Sequence, residues 1–111
     1  MSWFRRLVNW VRGWWAKPAW RTMVLSGDEL PDILPQDTLV VMIDDGEPWS
    51  AGMVCPCGCG RTLEVMLLEE VRPRWDVRVD AAGRPTLHPS VWAVDGCRSH
   101  FWLRDGRVHW C

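Results

Sequence analysis

The sequence predicts a small, mainly β domain, antiparallel in its pairing and stapled by zinc, with an N-terminal amphipathic helix in front of it. Three observations carry that expectation. Short apolar segments separated by Gly-, Asp- and Pro-containing turns run from Arg21 onward, a stretch of helical period precedes them and stops at Pro18, and three cysteines crowd into Cys55-Pro56-Cys57-Gly58-Cys59-Gly60. At 111 residues there is room for one compact core, so the expected organisation is a helical unit over residues 1–20 and a zinc-binding β domain over 21–111.

The helix is read from two adjacent stripes within residues 2–17. Trp3, Leu7, Trp10 and Trp14 recur at helical spacing, Phe4, Val8, Val11 and Trp15 form the stripe beside them, and Arg5, Arg6, Asn9, Arg12 and Gly13 fall on the opposite side. Pro18 lacks the N–H that would continue the ladder and should end it. Such a face either docks on the domain's own core or, being rich in tryptophan and backed by arginine, lies in a partner's groove or on a membrane surface.

Beyond Arg21 the period shortens. Thr22-Met23-Val24-Leu25, Thr38-Leu39-Val40-Val41-Met42-Ile43 and Thr62-Leu63-Glu64-Val65-Met66-Leu67-Leu68 read as strands, with Ser26-Gly27-Asp28 and Asp44-Asp45-Gly46-Glu47-Pro48 supplying turn chemistry between them. Residues 75–79, 86–87, 101–104 and 108–111 read as further short strands. The run Asp80-Ala81-Ala82-Gly83-Arg84-Pro85 and the pair Asp105-Gly106 read as hairpin turns, since Asp-Gly suits the positive φ angles of a two-residue loop.

Composition narrows the function. Net charge is −1, but Arg5, Arg6, Arg12, Lys17 and Arg21 precede the first acid, and every charged residue from Asp28 to Glu47 is acidic. The two blocks are solvated faces that attract one another, or one of them meets a charged partner. The cysteine region carries few positive charges, which argues against a nucleic-acid partner. No segment approaches the roughly 20 apolar residues of a membrane span, and the N-terminus lacks the apolar run and small-residue cleavage site of a signal peptide, so a cytoplasmic protein is expected. Ten tryptophans are more than one small core can bury with every indole N–H satisfied, which places many of them at a rim or an interface.

Five cysteines make a poor disulfide framework, because an odd count leaves one over and neighbouring thiols bridge badly. They suit zinc, which takes thiolate sulfurs at about 2.3 Å in a tetrahedron. Alternate residues of an extended chain stand about 6.5–7 Å apart, so the CPCGCG run has to curl, and Gly58 and Gly60 permit it. Cys55, Cys57 and Cys59 with the distant Cys97 form the expected ligand set. Because Cys97 and His100 make a CxxH half-site, a rival set uses Cys55, Cys59, Cys97 and His100. Cys111 is either a substitute ligand or an incidental small apolar residue.

A second constellation is Leu87-His88-Pro89-Ser90-Val91-Trp92, followed by Cys97-Arg98-Ser99-His100-Phe101-Trp102. A serine hydroxyl becomes a nucleophile when a base within about 3 Å takes its proton, and a histidine is the usual base. Anchored near a metal by Cys97, His100 would be held firmly enough to serve. Read as structure instead, Ser90 is a turn or cap residue and His100 a ligand. On a strand Ser99 and His100 point to opposite faces, so Ser99 should not share the imidazole's site.

The CPCGCG run, the Pro89-Ser90-Val91-Trp92 step and the Cys97-Arg98-Ser99-His100-Phe101-Trp102 block together resemble a small bacterial family over residues 38–111, encoded beside ubiquitin-like proteins and their activating and conjugating enzymes. That resemblance implies work on a ubiquitin-like protein, with Ser90 as nucleophile and His100 as base of a serine peptidase that trims a precursor tail or removes the modifier. The acid partner is open between Asp95 and Asp105. Two other readings stand beside it. One is a non-catalytic zinc adaptor that docks a ubiquitin-like protein or its conjugating enzymes; the other makes zinc the catalyst, which four cysteines disfavour by closing the open coordination position.

Overall fold

The computed structural model describes residues 19–111, so the helix expected over residues 2–17 lies outside the described residues. Within them every regular element is a strand. β1 (Arg21–Ser26), β2 (Thr38–Asp44), β3 (Glu47–Val54) and β4 (Thr62–Met66) form one sheet in that order. β5 (Asp76–Val79) and β6 (Pro85–His88) form a hairpin, and β7 (Val91–Trp92), β8 (His100–Arg104) and β9 (Arg107–Trp110) form a three-stranded sheet in chain order.

The pairing is antiparallel with one exception. β1 lies parallel to β2, Arg21 opposite Thr38 and Ser26 opposite Ile43. Ser26-Gly27-Asp28 therefore does not fold the chain straight back, and residues 27–37 return it to the start of β2 instead. The same return segment covers a face of the sheet: Leu30 and Leu34 pack with Val40 and Met42 on one side of β2, while Leu39 and Val41 join the main core on the other. Burial on both faces explains why β2 is an unbroken apolar run and not an alternating one.

β3 was not expected as a strand, because Glu-Pro opens it and Ser50, Ala51 and Gly52 have weak strand preference. Its context overrides that preference. Ile43 pairs with Pro48 and Met42 with Ser50, leaving Trp49 as an extra residue at a bulge, where a proline without an N–H is tolerated. Gly52 leaves the space that Leu30 fills: a Cβ there would stand 2.4 Å from Leu30 Cδ2.

The main core gathers Leu63 and Val65 from β4, Leu87 from β6, Val91 from β7, and Phe101 and Leu103 from β8, against Leu39, Val41, Ala51 and Met53. Trp20 is buried in it and its N–H donates to Gly106 O at 2.8 Å. Gly106 in turn donates to Pro85 O at 2.8 Å, so the Asp105-Gly106 turn ties the entry of β1 and the start of β6 to the β8–β9 hairpin.

Gly106 sits at φ +75°, and a Cβ there would lie 3.0 Å from Trp20 O and 3.1 Å from Trp20 N. Left-handed backbone costs an L-residue roughly 1–2 kcal/mol, and here backbone atoms supply the crowding as well. Gly106→Ala should therefore lower the melting temperature by several degrees, read by circular dichroism; an unchanged melt would show that the turn tolerates a side chain.

Candidate functional site

The cysteine run lies between the end of β3 and the start of β4. Cys55 N donates to Arg61 O at 2.8 Å, closing the base of the loop, and Gly58 N donates to Cys55 O at 3.3 Å, curling it. Gly58 and Gly60 take φ +91° and +81°, the left-handed turns that bring alternate side chains to one point. Cys97 arrives from the loop before β8, where Gly96 and Arg98 also have positive φ.

The sulfurs of Cys55, Cys57, Cys59 and Cys97 lie within 4.8 Å of one another. Cys55 Sγ is 3.4 Å from Cys57 Sγ and 3.6 Å from Cys97 Sγ. A tetrahedron with metal–sulfur bonds of about 2.3 Å has edges of about 3.8 Å, so this donor set fits one thiophilic ion with little movement. His100 and Cys111 lie outside the group, and the rival set containing His100 is not brought together.

Charge in the cluster is unevenly supported. Burial pushes the Cys55 thiol up to about 12. Cys97 is drawn down to about 6, first by the Ser99 hydroxyl and then by the Ser99 backbone N–H, and the same hydroxyl leads the causes that lower Cys57. Ser99 is buried, its Oγ 3.2 Å from Cys97 Sγ and 3.5 Å from Cys55 Sγ. As expected from strand alternation it faces away from the imidazole, but it is engaged with the thiols instead of being idle.

His100 opens β8, and the next four residues alternate: Phe101 and Leu103 are buried, Trp102 and Arg104 face outward with His100. On that outer face His100 Nε2 is 2.9 Å from Ser90 Oγ. Ser90 immediately precedes β7, and its backbone is held from another direction, with Trp75 Nε1–H donating to Ser90 O at 3.2 Å. Trp92 is paired directly opposite His100, and its indole stacks on the imidazole with centroids 5.1 Å apart and planes 18° apart. The dyad is thus fixed by a hydrogen bond on one side and an aromatic face on another.

Neither candidate acid joins it. Asp95 is exposed, and its main-chain oxygen accepts from Arg61. Asp105 is exposed in the β8–β9 turn, where its N–H donates to Thr86 Oγ1 at 2.8 Å. Among the described residues no carboxylate hydrogen-bonds to His100, and residues 1–18 contain no Asp or Glu.

A cavity of about 450 Å³, which neither Ser90 nor His100 lines, is walled by Arg78, Asp80, His88, Trp102, Arg104 and Asp105 among others. Its aromatic wall joins β6 to β8, the His88 and Trp102 rings lying 5.7 Å apart, and the Arg104 guanidinium carbon stands 4.5 Å from the centre of the Trp102 ring.

Residues 26–111 match the model of a family described as bacterial ubiquitination-like system serine protease (BubE). The chain belongs to that family. The match begins at Ser26, upstream of the expected start near Thr38, so it takes in the return segment as well as the cysteine run and both dyad residues. The family's name ties the chain to a bacterial ubiquitination-like system. Neither a curated protein nor a solved structure matches the chain. Among the described residues no helix is long and apolar enough to cross a membrane.

Sequence reasoning overlooked Trp92, Trp75 and Ser99 as site residues. The signal for Trp92 was present, since residues 90 and 92 of an extended segment share a face. Nothing in the sequence points Trp75 at Ser90, a contact made only by the tertiary fold.

Four thiols from two distant segments should retain about one metal ion per chain through purification. Cys97→Ser, which removes the one ligand from the second segment, should lower metal content and drop the melting temperature by about 10 °C or more. Elemental analysis combined with a thermal melt checks both. A wild type that is free of metal and indifferent to a chelator would refute the site.

Proposed function

We propose that the chain is a zinc-stapled serine peptidase that trims the tail of a bacterial ubiquitin-like protein or releases it from its targets. Ser90 is the nucleophile, His100 its general base and acid, and Cys55, Cys57, Cys59 and Cys97 are the zinc ligands. The observation that carries this reading is the 2.9 Å hydrogen bond between Ser90 Oγ and His100 Nε2, found in a member of a serine protease family. A non-catalytic adaptor would give that hydrogen bond no role.

The chemistry follows from the dyad. Ser90 Oγ attacks the scissile carbonyl carbon while its proton passes to His100 Nε2, and backbone N–H groups meet the oxyanion. Collapse of the tetrahedral adduct breaks the C–N bond, and His100 returns the proton to the leaving amine. Water then attacks the acyl-serine, its proton passing to the same nitrogen, and His100 returns that proton to Ser90 Oγ as the ester C–O bond breaks. When bound, zinc supplies a cross-link between the β3–β4 loop and the entry to β8, and thereby holds the strand that bears His100. In this reading the zinc domain takes in Trp20, which is buried in its core, and the Trp-rich segment before it serves docking, with the ubiquitin-like protein and its activating and conjugating enzymes as partners.

A nucleophile and its base act as one unit, so losing either should cost nearly as much as losing both. Ser90→Ala, His100→Ala and the double variant should each reduce cleavage of a tail-extended ubiquitin-like precursor by roughly 10³-fold or more, at unchanged zinc content. Wild-type cleavage by Ser90→Ala would eliminate the serine mechanism.

A further inference from the structure

We propose that Trp92 is a positioning residue for His100, its indole face holding the imidazole toward Ser90 and stabilising the imidazolium that forms when Ser90 gives up its proton. The inference rests on the peptidase reading above and supplies what that reading lacks, a partner for the positive charge. Serine–histidine sites ordinarily place a carboxylate behind the imidazole. Here no carboxylate of the described residues hydrogen-bonds to His100, and residues 1–18 have none to offer.

The groups flanking β8 make the need sharper. β7 carries no charge, β9 brings Arg107 opposite Arg104 and His109 opposite Trp102, and β6 brings His88 against the Trp102 ring. Cys111 N donates to the His100 carbonyl at 3.0 Å. The neighbouring ionisable side chains on these strands are thus basic or a thiol. The face of Trp92, near-parallel to the imidazole at 5.1 Å, presents negative electrostatic potential to the ring.

The position of Trp92 is otherwise hard to explain. It is 60% exposed on a two-residue edge strand, and so contributes little to the core that buries Val91 beside it. A stack of this kind gains strength when the imidazole becomes charged, which is when Ser90 attacks and its proton passes to Nε2. An interaction stronger in the transition state than in the ground state raises kcat and leaves KM alone.

The test uses the full-length protein and a fluorophosphonate probe, which labels an activated serine without requiring the natural substrate. Trp92→Leu keeps apolar bulk but removes the ring, and should slow labelling at saturating probe about fivefold with the half-saturating concentration unchanged. Trp92→Phe restores an aromatic face and should recover at least half of the rate. In proton NMR the His100 ring resonances, shifted upfield by the indole, should move downfield in Trp92→Leu. Equal rates for Leu and Phe, a change in half-saturation alone, or His100 resonances that do not move would each overturn the role given to Trp92. Failure of the peptidase reading itself is distinguishable, because Ser90→Ala would then still take up the probe.

Discussion

Sulfur atoms from Cys55 and Cys97, 42 residues apart in the chain, meet at 3.6 Å, and the placement of β8 depends on that meeting. A domain of this size has one modest core, and its site-bearing sheet joins β7 to β8 through only two residue pairs. The thiol cluster supplies the missing constraint. It also carries an electrostatic demand: the buried Cys55 resists ionisation while Cys97 is drawn toward it by Ser99. A divalent cation answers both conditions at once, since coordination removes the thiol protons and compensates the charge that burial disfavours.

The two-residue period of a strand lets one short segment serve the thiol cluster and the candidate active site together. Ser99 turns inward to the thiols, His100 outward to Ser90, Phe101 into the core, and Trp102 out along the cavity wall. A register slip of one residue would present Ser99 to Ser90 and push the imidazole into the cluster. The hydrogen bond from Ala93 N to Ser99 O at 2.7 Å, between the thiols and the dyad, fixes the register at the place where a slip would do most damage.

The parts of this arrangement legible in the sequence were those specified locally. The Gly58 and Gly60 conformations, the Asp105-Gly106 hairpin and the alternation along β8 follow from residue type and spacing, and the sequence named both the cysteine group and the Ser90–His100 pair. What escaped was set by tertiary context. β3 hides because a proline and three small residues form a central strand only where a bulge and the close approach of Leu30 require them. The parallel placement of β1 was illegible for a related reason, since the apolar residues of 27–37 have no period of their own until β2 presents a second face to cover. The acid of a conventional triad was sought by proximity in sequence, and neither Asp95 nor Asp105 hydrogen-bonds to His100.

Ser90 and His100 are held by different parts of the molecule, and this decides how the site answers to the metal. The Ser90 carbonyl accepts from Trp75, whose own N–H donates to Met66 O at 2.8 Å, so the serine is moored to the far end of β4. His100 is moored through Ser99 to the thiols and through Trp92 to the edge strand. The larger sheet is braced by cores on both sides of β2, and so depends less on the thiols than the small sheet does. The dyad does not share that independence, because its second half enters through the loop that Cys97 anchors. On the proposed reading, loss of zinc would therefore separate base from nucleophile before it unravelled β1 to β4. A tenth of a nanometre of drift at His100 suffices to break a 2.9 Å hydrogen bond, so in that reading a structural metal ion, touching no reacting atom, would govern whether Ser90 is a nucleophile at all.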